Sequence, residues 1–326
     1  MCSNASVLPG FVGEFQDLLT QFVRMKQSLG FQYATEAAIL MRFARFTLTQ
    51  HVTDQALTKE LVYAWLTKRP QETDVTWEHR MYAIRQFARY LTELGYEAYI
   101  PYRLRKIHRQ VYVPYIFTPE ELQRFFQACD QIPPHPLSSK CLVFPALFRV
   151  LYGCGLRISE AVALRGKDVD LETGVLTIRR AKFDKDRLIP MAPSLTQYLT
   201  TYTGHLHLVS DPGSYFFPQK DRTALQPTTV YKNFRTLLWR SGISHGGPGR
   251  GPRLHDFRHS FATHALQQMV RRGLDLYCAL PILSTYLGHA SVAATERYVR
   301  LTADQYPDLL QAINQTCAHL FPEVVS

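Results

Sequence analysis

Apolar residues recur at helical spacing through the first hundred positions. Phe15, Leu18, Leu19, Phe22 and Val23 fall at i, i+3, i+4, i+7 and i+8 and form one stripe. Ala37, Leu40, Ala44 and Leu48 mark a second helix. Leu61, Ala64 and Trp65 mark a short third. Met81, Ile84, Phe87, Ala88 and Leu91 mark a fourth, which stops near Gly95. Four amphipathic helices with short connections predict a small bundle over residues 1–100. The pattern sets Arg80, Arg85 and Arg89 away from the apolar stripe of the fourth helix. They read either as a solvated face or as contacts to phosphate.

The periodicity breaks over residues 101–117. Pro101 and Pro114 bracket Arg103, Arg105, Lys106, His108 and Arg109, which reads as an extended basic linker. A new domain is expected over residues 118–301. It opens on Thr118-Pro119-Glu120-Glu121, a capping box with proline at the first helical position. Leu142 to Tyr152 is an apolar helix ended by Gly153 and Gly155, and Ile158 to Leu164 is helical again. Val175 to Ile178 and Arg187 to Pro190 are strand-like and are separated by polar turns. Gly242 to Pro252 is a glycine- and proline-rich loop, with helices after it. The tail, 302–326, carries Leu309, Leu310, Ile313 and Cys317 at helical spacing. The expected class is mainly α with a small antiparallel β-sheet, in two domains.

Composition narrows the function. In 326 residues, 37 Lys and Arg face 27 Asp and Glu, a net charge of +10 that favours a polyanionic partner, nucleic acid above membrane. No apolar run approaches the ~20 residues of a membrane span, and the N-terminus lacks a signal core. The six cysteines form no C-x-x-C pair and read as reduced thiols of a cytoplasmic protein.

Five places in the second domain could carry chemistry. Arg157 lies between a glycine-ended helix and the start of the next, where a guanidinium and free backbone N–H groups can meet an anion. Lys182 sits beside a polar turn at a strand end. His255 and Arg258 share a helical face in His255-Asp256-Phe257-Arg258-His259. His255 and His259 also have a metal-ligand spacing, but the glutamate of H-E-x-x-H is absent and no third ligand presents itself, so no metal is expected. Leu287-Gly288-His289 and Thr295-Glu296-Arg297-Tyr298 complete the set. The chain has no phosphate-binding P-loop, no G-x-S-x-G nucleophile turn and no carboxylate cluster for two metals.

Taken in order, Arg157, Lys182, His255, Arg258, His289 and Tyr298 resemble the active-site series of the tyrosine recombinase (phage integrase) family. The segment Arg258-His259-Ser260-Phe261-Ala262-Thr263-His264 is also similar to it. The resemblance covers the whole second domain. It implies that the bundle is a core-binding domain that clamps DNA. It further implies that Tyr298 attacks a backbone phosphate to give a 3′-phosphotyrosine, with Arg157 and Arg258 on the non-bridging oxygens. His255 would assist deprotonation of the nucleophile or bind phosphate, and His289 would hydrogen-bond phosphate. Lys182 would protonate the departing 5′ oxygen, and Glu160 would position its neighbours. No cofactor is implied, because the phosphoester energy is kept in the covalent link.

The implied partner is double-stranded DNA at recombination sites. A homotetramer, with a partner recombinase or accessory protein where needed, would exchange strands through a Holliday junction. The tail would pack on a neighbouring subunit or on its own domain. The 24 residues between His264 and His289 are more than compact members carry, which points to a transposon or another mobile element. A type IB topoisomerase-like enzyme and a non-catalytic DNA-binding protein are the alternatives.

Overall fold

The computed structural model describes residues 10–102, 113–179, 186–206, 213–247, 251–289, 291, 293–296 and 298–299. The chain parts into two compact units between residues 112 and 113.

Among the described residues the first unit holds four helices: α1 (Gln16–Ser28), α2 (Ala34–Thr49), α3 (Lys59–Leu66) and α4 (Asp74–Glu93). Thr58 and Thr73 cap α3 and α4, each accepting from the backbone N–H three residues on. The stripes meet in an aromatic core, with Phe15 and Phe22 of the α1 region against Phe87 of α4, and Phe43 of α2 against Trp65 of α3. Past Gly95 the chain doubles back, and the Tyr99 N–H donates to the Leu57 carbonyl at 2.8 Å.

One expectation in this unit is corrected. Arg80 does not lie on a solvated face: it is only 2% exposed. Its guanidinium stacks on Trp65 and donates to the Trp65 carbonyl at 2.5 Å, to the Thr67 carbonyl at 3.1 Å and to Glu72 at 2.8 Å. A buried arginine with these partners ties α4 to the α3–α4 connection and has no surface to offer phosphate. Periodicity cannot separate such an arginine from an exposed one. Arg85 is half-buried and Arg89 is exposed. Arg103, Arg105, Lys106 and Arg109 lie outside the described residues, as do Lys182 and the tail beyond residue 300.

The second unit begins before Thr118. Phe117, counted with the linker from sequence, is fully buried, stacks on Phe257 and donates its N–H to Ser260 Oγ at 2.9 Å. The capping box then starts α5 (Pro119–Asp130) with both reciprocal hydrogen bonds formed. Next come α6 (Lys140–Gly153), α7 (Ile158–Ala163), β1 (Val169–Asp170), β2 (Val175–Ile178) and β3 (Arg187–Pro190). The strands form an antiparallel sheet in the order β1-β2-β3, with Leu176 opposite Ile189 and Ile178 opposite Arg187. Then follow α8 (Pro193–Leu206), α9 (Pro227–Arg240), α10 (Asp256–Arg271) and α11 (Leu276–Leu287). Among the described residues the protein is therefore mainly helical with one small antiparallel sheet, the expected class.

The second core gathers Phe125, Phe148, Phe234 and Phe257 from four helices. It anchors the start of α10, and so the residues around Arg258. The long stretch after His264 is spent on the rest of α10, a turn at Gly273 and α11. No helix among the described residues is long and apolar enough to cross a membrane.

Candidate active site

Gly155 makes the first turn of the site. It ends α6 at φ +58°, and a Cβ there would lie 2.5 Å from Phe261. Glycine is required both for the backbone and for the space. The turn delivers Arg157 to the N-terminus of α7. Three residues on, Glu160 reaches back: it accepts the Arg157 backbone N–H at 2.9 Å and its Nη1 at 2.7 Å.

Glu160 has a second partner, unforeseen from sequence. Arg187 at the start of β3 donates Nη1 and Nη2 to the two carboxylate oxygens at 3.1 and 2.9 Å, a bidentate pair. Its Nε donates to the Tyr286 carbonyl near the end of α11, at 3.2 Å. Burial pushes the Glu160 carboxyl up, but the hydrogen bonds and charge of Arg187 and the hydrogen bonds of Arg157 outweigh it and hold the group down to about 2. The only sequence signal for Arg187 is its place at the head of a predicted strand, which says nothing of which way the side chain turns.

Arg258 is 1% exposed. Its Nη1 donates to the Gly155 carbonyl at 2.8 Å and its Nη2 to the Leu287 carbonyl at 2.5 Å. These bonds fix the guanidinium between the α6–α7 turn and the C-terminus of α11, with further hydrogens on both Nη atoms. Burial, with Arg157 adding to it, brings this group down to about 10, while Glu160 and Tyr298 oppose the shift.

Residues 293–296 and 298–299 are helical and bring in Tyr298, which is 1% exposed. Its hydroxyl lies 3.1 Å from His259 Nδ1, and the His289 ring stacks nearly parallel to it with centroids 6.2 Å apart. Gly288, at φ +65°, ends α11 and turns His289 into place, where its Nδ1 is 2.7 Å from Thr295 Oγ1. His255 is exposed at the N-terminus of α10, its ring centroid 4.8 Å from that of His259. Beside His255 an open cleft of about 570 Å³ is lined in part by His245, Arg253 and Tyr231.

The structure thus gathers Arg157, Glu160, Arg258, His289 and Tyr298, with His255 at the edge. It adds two residues, Arg187 and His259, that the sequence pattern does not single out for this site. Spacing alone pairs His259 only with His255, as a metal ligand. No cluster of three metal-ligating side chains occurs among the described residues, whose cysteines are all free. The arrangement offers fixed cationic donors in one neighbourhood and a phenol near Arg258, the equipment for binding an anion next to an oxygen nucleophile.

Known proteins share this chain's sequence pattern and fold. Residues 116–305 match the phage integrase family. The chain is 32% identical over 301 residues to y4rB of Sinorhizobium fredii, a protein named as a putative integrase/recombinase; the match spans 87% of this chain and 92% of y4rB. It is also 32% identical over 215 residues to the tyrosine recombinase XerA of Pyrococcus furiosus, spanning 65% and 66% of the two chains. Among solved structures, the XerH site-specific recombinase in a post-cleavage complex with palindromic difH superposes with a TM-score of 0.63. The two are 21% identical, over 93% of this chain and 84% of that one.

Proposed function

The chain belongs to the phage integrase family and is a tyrosine-type site-specific recombinase, and on that premise we propose that it cuts and rejoins DNA through a covalent 3′-phosphotyrosine at Tyr298. One observation carries the reading: four separate segments bring Arg157, Arg258, His289 and Tyr298 into one neighbourhood, where Arg258 interacts electrostatically with Arg157 and Tyr298 and the His289 ring stacks on Tyr298.

A phosphodiester seated there would place its non-bridging oxygens between Arg157 and Arg258. As Tyr298 attacks, a bond forms from its phenolic oxygen to phosphorus and the bond to the 5′ oxygen breaks. Charge growing on the phosphoryl oxygens is met by donors already oriented by their protein partners, so little reorganisation is required at the transition state. Lys182 is the proposed acid for the departing 5′ oxygen, and His289 and His255 the further phosphate contacts. Glu160 and Arg187 hold Arg157 in place. The buried phenol means that whatever covers the ring gives way before a phosphate reaches it.

The proposed substrate is double-stranded DNA at paired sites, bound in part by Arg89, Arg103, Arg105, Lys106 and Arg109. The reaction joins four protomers in a Holliday-junction exchange that moves a mobile element. A supercoiled plasmid bearing two copies of the ends of the element that encodes the chain tests this. Resolution into two circles supports exchange; relaxed single circles alone would favour topoisomerase-like action instead.

A further inference from the structure

We infer that His259 is a catalytic residue that accepts the phenolic proton of Tyr298; the assignment rests on the reading of Tyr298 as the nucleophile. A phenol attacks phosphorus well only as it loses its proton, so a base must lie within hydrogen-bond reach of the hydroxyl. His259 Nδ1 is at 3.1 Å. His255, to which the family resemblance gives either this task or phosphate binding, is exposed and lies against the His259 ring.

The surroundings suit the role. His259 is 4% exposed and follows Arg258 directly on α10, so both side chains are carried by one rigid turn. Three of the described residues bear on the pair. His255 lies against the His259 ring, His289 stacks on Tyr298, and Arg258 interacts electrostatically with the phenol. The Arg258 charge favours phenolate as the proton leaves, and a neutral imidazole with its hydrogen on Nε2 presents the Nδ1 lone pair to the hydroxyl. The step balances: the proton passes to Nδ1, the phenolic oxygen bonds to phosphorus, and the 5′ oxygen leaves with a proton from the proposed acid Lys182.

The test works without a defined target sequence. A pool of nicked duplexes of randomised sequence is incubated with the wild-type protein, and DNA held in denaturation-resistant adducts is recovered and used as the probe. Adduct formation is then followed against pH, from below the imidazole pKa of ~6.5 toward that of phenol at ~10. The comparison includes His259→Asn, which keeps a hydrogen-bond acceptor but takes up no proton, and His259→Phe.

Wild type is expected to accelerate through the imidazole range and level off. Both variants are expected to bind the probe normally and to cleave about 10²-fold more slowly at neutral pH. Their rates should keep rising toward the phenol range. A His259→Asn variant with the wild-type rate, or variants slowed equally at every pH, would overturn the assignment, since a structural role alone gives that behaviour. No adduct from wild type itself would remove the phosphotyrosine reading and this assignment with it.

Discussion

Arg187 Nη2 and Glu160 Oε2 lie 2.9 Å apart although 27 residues separate them in the chain. The pair joins β3 to α7, and the Arg187 Nε bond to the Tyr286 carbonyl extends the link to α11. One guanidinium thus locks together the elements that deliver Arg157 and His289.

Removing that lock should be costly. Arg187→Ala leaves a buried carboxylate with Arg157 as its one remaining partner among the described residues, and breaking a buried pair costs about 3 kcal/mol or more. Arg187→Lys should recover only part of this, because an ammonium cannot make the bidentate contact. Equilibrium denaturation checks both; wild-type stability in Arg187→Ala would deny the link its role.

Glu160 predicts an acid-sensitive stability. Its folded-state pKa of about 2 lies below the ordinary 4.5, so its contribution is complete above that ordinary value and is lost as pH falls through the folded one. The contribution is on the order of 3 kcal/mol. Melting curves taken from about pH 5 down to about pH 2 should fall more steeply for wild type than for Glu160→Gln. Parallel curves would count against the paired carboxylate.

Gly155→Ala should destabilise the protein by more than ~1 kcal/mol, because an alanine there strains a backbone at φ +58° and drives its methyl into Phe261. The same substitution at Gly95, also at positive φ but with open space around it, should cost less. Thermal melts of the two variants compare them directly.

Arg80 and the basic segment should part company in DNA binding. Arg80→Ala should lose about 3 kcal/mol of stability, as breaking a buried ion pair does. Neutralising Arg103, Arg105, Lys106 and Arg109 should instead flatten the dependence of log affinity on log salt by ~0.9 for each phosphate that is no longer neutralised. An unchanged slope would remove these residues from the interface.

The helices of the first unit are legible in the sequence because each has a single apolar stripe, and the capping box announces α5 to the residue. Two helices, α8 and α9, are not. Thr200, Thr201 and Thr203 give α8 a weak pattern, and α9 follows a stretch of turns. The ordered series from Arg157 to Tyr298 is legible because each member sits in a recognisable local setting. The roles of Arg80, Arg187 and His259 are hidden, since each depends on contacts between segments: Arg80 with Glu72 and Trp65, Arg187 with Glu160, and His259 with a tyrosine 39 residues away. Residue type and spacing carry no information about which distant group a polar side chain meets.

Every catalytic role proposed for these residues depends on a covalent link at Tyr298. To test for it, wild type and Tyr298→Phe are incubated with nicked duplex carrying the ends of the proposed mobile element, without added metal or ATP, and the products are separated on a denaturing gel. Wild type should give a protein–DNA adduct that maps to the peptide containing Tyr298. Tyr298→Phe should give none despite equal DNA binding. An adduct that survives Tyr298→Phe would contradict the assignment and move the nucleophile elsewhere.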